Sequence, residues 1–109
     1  MVEMMTDTSI ILNGIKWDIK FVPANNDVLD GNRGMCYYRT STIYILDNLK
    51  PSETIFTLFH ELTHAALAET DYNEEIKEGL GNNYEKFTSL LGSRIREICE
   101  QVESCVKVQ

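Results

Sequence analysis

Thr57-Leu58-Phe59-His60-Glu61-Leu62-Thr63-His64-Ala65 decides how this chain is read, because its only two histidines stand four residues apart with a glutamate directly after the first. On a helix such a pair shares one face, about 5–6 Å apart at Cβ, so two imidazole nitrogens can converge on one ion at about 2.0–2.1 Å each. Glu61 lies about 100° further round the helix. There a carboxylate stands beside the ion rather than on it and can take a proton from a coordinated water. The H-E-x-x-H pattern therefore nominates His60 and His64 as zinc ligands and Glu61 as catalytic base. Ile55, Leu58, Phe59, Leu62 and Ala65 recur at helical period around it, which predicts a helix with one apolar face.

Working outward, Pro51 suits the first helical position, where its missing N–H costs nothing, and Glu53 suits the positive end of the helix dipole. The motif helix is predicted over 51–69. Upstream, Thr42–Leu46 and Met35–Arg39 read as short strands joined by Thr40-Ser41, from their aromatic and β-branched content. Asn13-Gly14 separates Ile10–Leu12 from Ile15–Val22, a pair favoured where both central residues need positive φ, and predicts a β-hairpin. In its second arm Ile15, Trp17, Ile19 and Phe21 alternate with Lys16, Asp18 and Lys20, the period of a strand with one buried face. Pro23–Gly34 is polar and turn-rich, and is expected to form a loop that builds no core. Downstream, after an acidic connection, Ile76, Leu80, Tyr84, Phe87, Leu91 and Ile95 begin an apolar stripe that continues to Val106. It predicts a long C-terminal helix, broken near Gly79 or Gly81. The fold class is α+β: a small antiparallel sheet packed against the motif helix and a long C-terminal helix.

A chain of 109 residues with 43% hydrophobic content suits one domain, 1–109. With 17 acidic against 10 basic residues, the net charge of −7 disfavours a phosphate-backbone binder, so no direct nucleic-acid partner is expected. No apolar run reaches the roughly 18 residues of a membrane span, and the polar, acidic start does not resemble a signal peptide. A cytoplasmic protein without membrane association is expected. Cys36, Cys99 and Cys105 form an odd set with no C-x-x-C spacing, which argues for a reducing compartment.

Catalytic zinc takes three protein ligands, and no third histidine exists. The extension that adds one would need glycine at position 67 and histidine at position 70, where Leu67 and Thr70 stand. A carboxylate from the following helix is the natural candidate. Glu69 points off the ligand face, and Asp71, Glu74 and Glu75 fall in the connection. Glu78 and Glu85 remain. Glu85 is favoured because it stands beside the apolar stripe, between Tyr84 and Phe87, at the edge of the core.

The segment from about Gly34 to Ile95, with Thr42-Ile43-Tyr44-Ile45, the H-E-x-x-H helix and Asn83-Tyr84-Glu85-Lys86-Phe87-Thr88-Ser89-Leu90-Leu91, resembles the small zinc metallopeptidase-like proteins of phages and mobile elements related to the ImmA/IrrE peptidases, of gluzincin type. That resemblance implies a minimal zincin-like domain, a Zn2+ cofactor held by His60, His64 and Glu85, and peptidase activity. The chain departs from the longer pattern in having no alanine-rich run around Glu85 and no further domain. The expected reaction is hydrolysis of peptide bonds in a specific intracellular protein substrate, by a water held between zinc and Glu61, with Thr42–Leu46 as a sheet edge that aligns the peptide. The alternative is a catalytically silent, zinc-containing module that docks on a host or regulatory protein. Tyr37, Tyr38, Arg39, Tyr72 and Tyr84 are equal candidates for an oxyanion donor.

Overall fold

The Asn13-Gly14 signal is realised in the computed structural model, which describes residues 7–70 and 73–107, the side chains of 98 and 101–107 excepted. Strands β1 (Thr8–Leu12) and β2 (Ile15–Val22) pair antiparallel across Asn13 (φ 50°) and Gly14 (φ 80°). Along β2, Trp17 and Ile19 are buried while Lys16 and Lys20 are exposed, as the alternation requires, but Ile15 at the start of the expected buried face is 44% exposed beside the turn. Strands β3 (Gly34–Tyr37) and β4 (Thr42–Leu46) form a second antiparallel pair. Tyr38 and Arg39 thus belong to the turn rather than the strand.

The sheet order is β1-β2-β4-β3, and β2 and β4 run parallel, so the sheet is mixed rather than wholly antiparallel. The physical reason is the connection. Residues 23–33 carry the chain across the sheet before β3 begins, which lets the return strand β4 insert beside β2 in the same direction. As a result β4 is paired on both sides, with Ile43 and Ile45 fully buried. The expectation that Thr42–Leu46 offers a free edge is therefore corrected: the edge on that side of the sheet is β3.

Residues 23–33 also do more than the expected loop. Asn26 caps a 3-10 turn at Asp27–Leu29, its Oδ1 accepting from Val28 N at 3.0 Å, and Leu29 is 1% exposed. Tyr37 donates its hydroxyl to Val28 O and packs edge-on against Tyr44 at 5.6 Å. By strand alternation these tyrosines lie on the sheet face opposite Ile43 and Ile45.

Helix α1 (Pro51–Ala68) packs on the other face, its C-cap at Glu69. The core unites Trp17, Ile19, Ile43, Ile45 and Ala65, with Leu58 and Leu62 against it. Each buried large side chain here contributes about 1.5–3 kcal/mol. The downstream apolar stripe is divided: α2 (Asn73–Leu80) ends in a 3-10 turn over Gly81–Asn83, with Gly81 at φ 53°, and α3 (Tyr84–Lys107) follows. The break thus falls at Gly81. Glu74 and Glu75 are helical rather than part of a connection, while Asp71 and Tyr72 lie outside the described residues.

Helix α3 crosses α1 at close range. A Cβ on Gly92 would stand 3.1 Å from Phe59 O and 3.1 Å from Thr63 Oγ1. Thr88, fully buried, and Thr63 satisfy their hydroxyls on the carbonyls of Tyr84 (2.9 Å) and Phe59 (2.7 Å). Such back-bonding lets polar side chains sit between helices without an unpaired donor. Among the described residues no helix is long and apolar enough to cross a membrane.

Candidate metal centre

The helical spacing read from the sequence brings the two imidazoles together, with ring centroids 4.8 Å apart and the Nε2 atoms 3.2 Å apart. From the first turn of α3, the Glu85 carboxylate spans both. Its Oε2 lies 3.1 Å from His60 Nε2 and its Oε1 3.2 Å from His64 Nε2. His60, His64 and Glu85 form a group whose ligand atoms all lie within 4.8 Å of one another. Glu78, the other carboxylate left open by the sequence, is exposed on α2 and outside this group.

The outer nitrogens are engaged as well. His60 Nδ1 meets Ser89 Oγ at 3.0 Å, and His64 Nδ1 meets Tyr84 OH at 3.4 Å. With Nδ1–H donating to each hydroxyl, both Nε2 lone pairs point at one another and at two carboxylate oxygens. Four electron-rich atoms facing a common point repel unless a cation lies among them, so the residues present fit a divalent metal ion. Burial holds His64 toward its neutral form, against the pull of the Glu85 charge and with the help of His60 and Lys77. Neutral imidazole is the form that ligates metal.

Glu61 is placed as the motif predicts, beside the group and not in it. Its side chain is buried, 7% exposed, beneath β3. A Cβ on Gly34 would come within 3.0 Å of Glu61 Cγ and 2.8 Å of Thr57 Cγ2, so only glycine lets the strand lie this close over the carboxyl. Burial first, and the Glu85 charge second, push the Glu61 pKa up to about 7. A carboxyl poised near neutrality can both accept and return a proton.

Of the tyrosines, Tyr37 is committed to Val28 on the far face. Tyr84 reaches His64, and Tyr38 has its pKa raised by burial first and by the neighbouring Cys36, Tyr84, Glu61 and Glu85 second, which keeps its hydroxyl protonated. Cys36 packs against the core, its thiol raised to about 12 chiefly by burial. Ser89, Gly34 and Gly92 were not legible as site residues from their types alone.

A mixed sheet laid on an H-E-x-x-H helix, with a second helix returning a carboxylate to the two imidazoles, defines a small metallopeptidase-like domain. Residues 16–89 match the model of a peptidase family described as the IrrE N-terminal-like domain, and the chain belongs to that family. No curated protein and no solved structure matches the chain. The matched span includes all three members of the group and begins upstream of the resembling segment, within β2.

Proposed function

We propose that this protein is a zinc-dependent peptidase that cleaves a specific intracellular protein or peptide, with His60, His64 and Glu85 holding the metal and Glu61 carrying the proton. The observation that carries this reading is the convergence of two imidazoles and a carboxylate beside a buried carboxyl with a pKa near 7. When bound, zinc supplies Lewis-acid chemistry, acidifying water and polarising a carbonyl oxygen. The chain's own residues do the rest. Ser89 and Tyr84 hold the two rings so that Nε2 faces inward. Glu61 takes a proton from the attacking water and returns it to the leaving amine, as a carboxyl with a near-neutral pKa can.

Strand β3 has backbone groups on its outer side that no described strand pairs, so an extended peptide can add to it. Gly34, directly over Glu61, starts that strand. Peptide aligned on β3 therefore passes the proton carrier.

The test is zinc content per chain in the parent, His64→Ala, Glu85→Ala and Glu78→Ala proteins, with peptide cleavage in the parent and Glu61→Gln. About one zinc in the parent and in Glu78→Ala, lost in the other two, is expected. Glu61→Gln should keep zinc and lose roughly 100-fold or more in turnover. A parent that binds no metal even when zinc is supplied would overturn the proposal. If Glu61→Gln keeps the biological activity of the parent, the protein acts as a docking module on a regulatory partner instead.

A further inference from the structure

Helix α2 brings one more charge to this centre. Lys77 Nζ lies 5.2 Å from the ring centroid of Tyr38 and 5.7 Å from that of Tyr84. Tyr84 touches His64 through its hydroxyl and directly precedes Glu85. Tyr38 directly follows β3, the free edge of the sheet. The ammonium thus stands between the imidazole–carboxylate group and the far end of the edge strand.

Two aromatic faces attract a cation by about 0.5–1 kcal/mol each at exposed sites and by about 2 where water is excluded, so this position is favoured for the ammonium over free solvation. Yet the cation has no carboxylate at ion-pairing distance among the described residues, although Glu74 and Glu78 are its neighbours on the helix. The three N–H donors of an ammonium are not saturated by ring faces. A cation held over two ring faces beyond the end of the edge strand, with no carboxylate partner among the described residues, in a chain of net charge −7 marks where a negative group of the ligand is received.

We propose that Lys77 is a specificity residue that binds a carboxylate of the peptide substrate, carried on an acidic side chain or at its C-terminus. This rests on the peptidase reading above. From Gly34, over Glu61, to Tyr38 just past the edge strand is four residue steps, roughly 13 Å at about 3.3 Å per step. The carboxylate therefore falls within about four residues of the scissile bond. Elsewhere the acidic surface repels such a peptide, so the preference is local to Lys77.

Zinc-loaded Glu61→Gln protein, which retains peptides without cutting them, is exposed to two pooled libraries of ten-residue peptides, one ending in a free carboxylate and one in an amide. The retained peptides are sequenced. Enrichment of Asp or Glu at one position in both libraries identifies a side-chain carboxylate, and retention confined to the free-acid library identifies the C-terminus. Either preference should fall at least tenfold when Lys77→Glu is added, and survive Lys77→Arg. Absence of any acidic preference, or an equal one with and without Lys77→Glu in protein of unchanged zinc content, overturns the assignment. The retained peptides are then given to the parent protein. Lys77-dependent retention without cleavage sinks the peptidase reading and leaves Lys77 as a binding residue, whereas cleavage without acidic preference sinks the Lys77 assignment alone.

Discussion

Ser89 meets the outer nitrogen of His60 from one helical turn beyond Glu85, so a single face of α3 supplies both a group for the centre and the hydroxyl that orients its neighbour. Ser89→Ala frees the His60 ring to turn and to change tautomer. Zinc affinity, measured by competition with a chromophoric chelator, should fall about 10–100-fold, and Ser89→Thr should retain most of it. An unchanged affinity in Ser89→Ala would remove the hydroxyl from this role. Cys36 behaves oppositely, as a group silenced by its surroundings. With its pKa near 12, about one thiol in ten thousand is ionised at pH 8, so in a Cys99→Ser/Cys105→Ser protein a disulfide reagent should react only when urea unfolds the chain. Rapid labelling of the native protein would contradict this. At this scale the meeting of His60 and His64, and the place of Glu61 beside them, were legible because helical spacing alone fixes both. Glu85 was legible by exclusion, since no third histidine exists and only a carboxylate beside the apolar stripe could reach. Ser89 was not, because its role depends on how α3 crosses α1. Small residues at 89 and 92, on the face of Glu85, are the signal that could have disclosed it.

At the scale of the elements, two helical glycines make opposite predictions. Gly92 lies against the Phe59 carbonyl, and a methyl group there would stand 3.1 Å from that backbone oxygen, so α1 and α3 must part by a few tenths of an ångström, at about 1–3 kcal/mol, more than the roughly 1 kcal/mol a helix gains from alanine over glycine. Gly79 on α2 has nothing within 4 Å of an added Cβ. Urea unfolding should show Gly92→Ala destabilised and short of zinc, because α3 carries Glu85 with it, and Gly79→Ala unchanged or stabilised by up to about 1 kcal/mol. The reverse order would refute the close helix crossing. The elements themselves were mostly readable: the Asn13-Gly14 hairpin and the start of α1 at Pro51 follow from local chemistry, and the break was narrowed to Gly79 or Gly81, of which the structure takes Gly81. The parallel pairing of β2 with β4 was not, since strand order is set by the path of residues 23–33 and by the burial of Leu29, which composition marks only as loop. Hydropathy also misdirects along α1, where Phe56 is 44% exposed and Thr57 is 6% exposed. Close approach of α1 to β3 at Gly34 selects the smaller residue there.

For the whole molecule, the decisive circumstance is that the centre joins two segments far apart in sequence, His64 near the end of α1 and Glu85 at the start of α3. A ligand that binds only the folded chain stabilises it by RT ln(1 + [L]/Kd), about 2.7 kcal/mol at a hundredfold excess over Kd. Thermal melts of the parent should therefore move upward with free zinc and back with a chelator, and melts of His64→Ala should not respond. A parent whose melting ignores zinc would disprove the linkage. The chain between these residues is a loop whose ends a bound ion would tie in the folded state, as a clasp does, and removing the ion would leave packing alone to meet the cost of closing that loop. In a cell where unfolded chains are destroyed, such a clasp makes abundance follow metal supply: the protein would persist while zinc is plentiful and disappear as it becomes scarce, with no separate regulator.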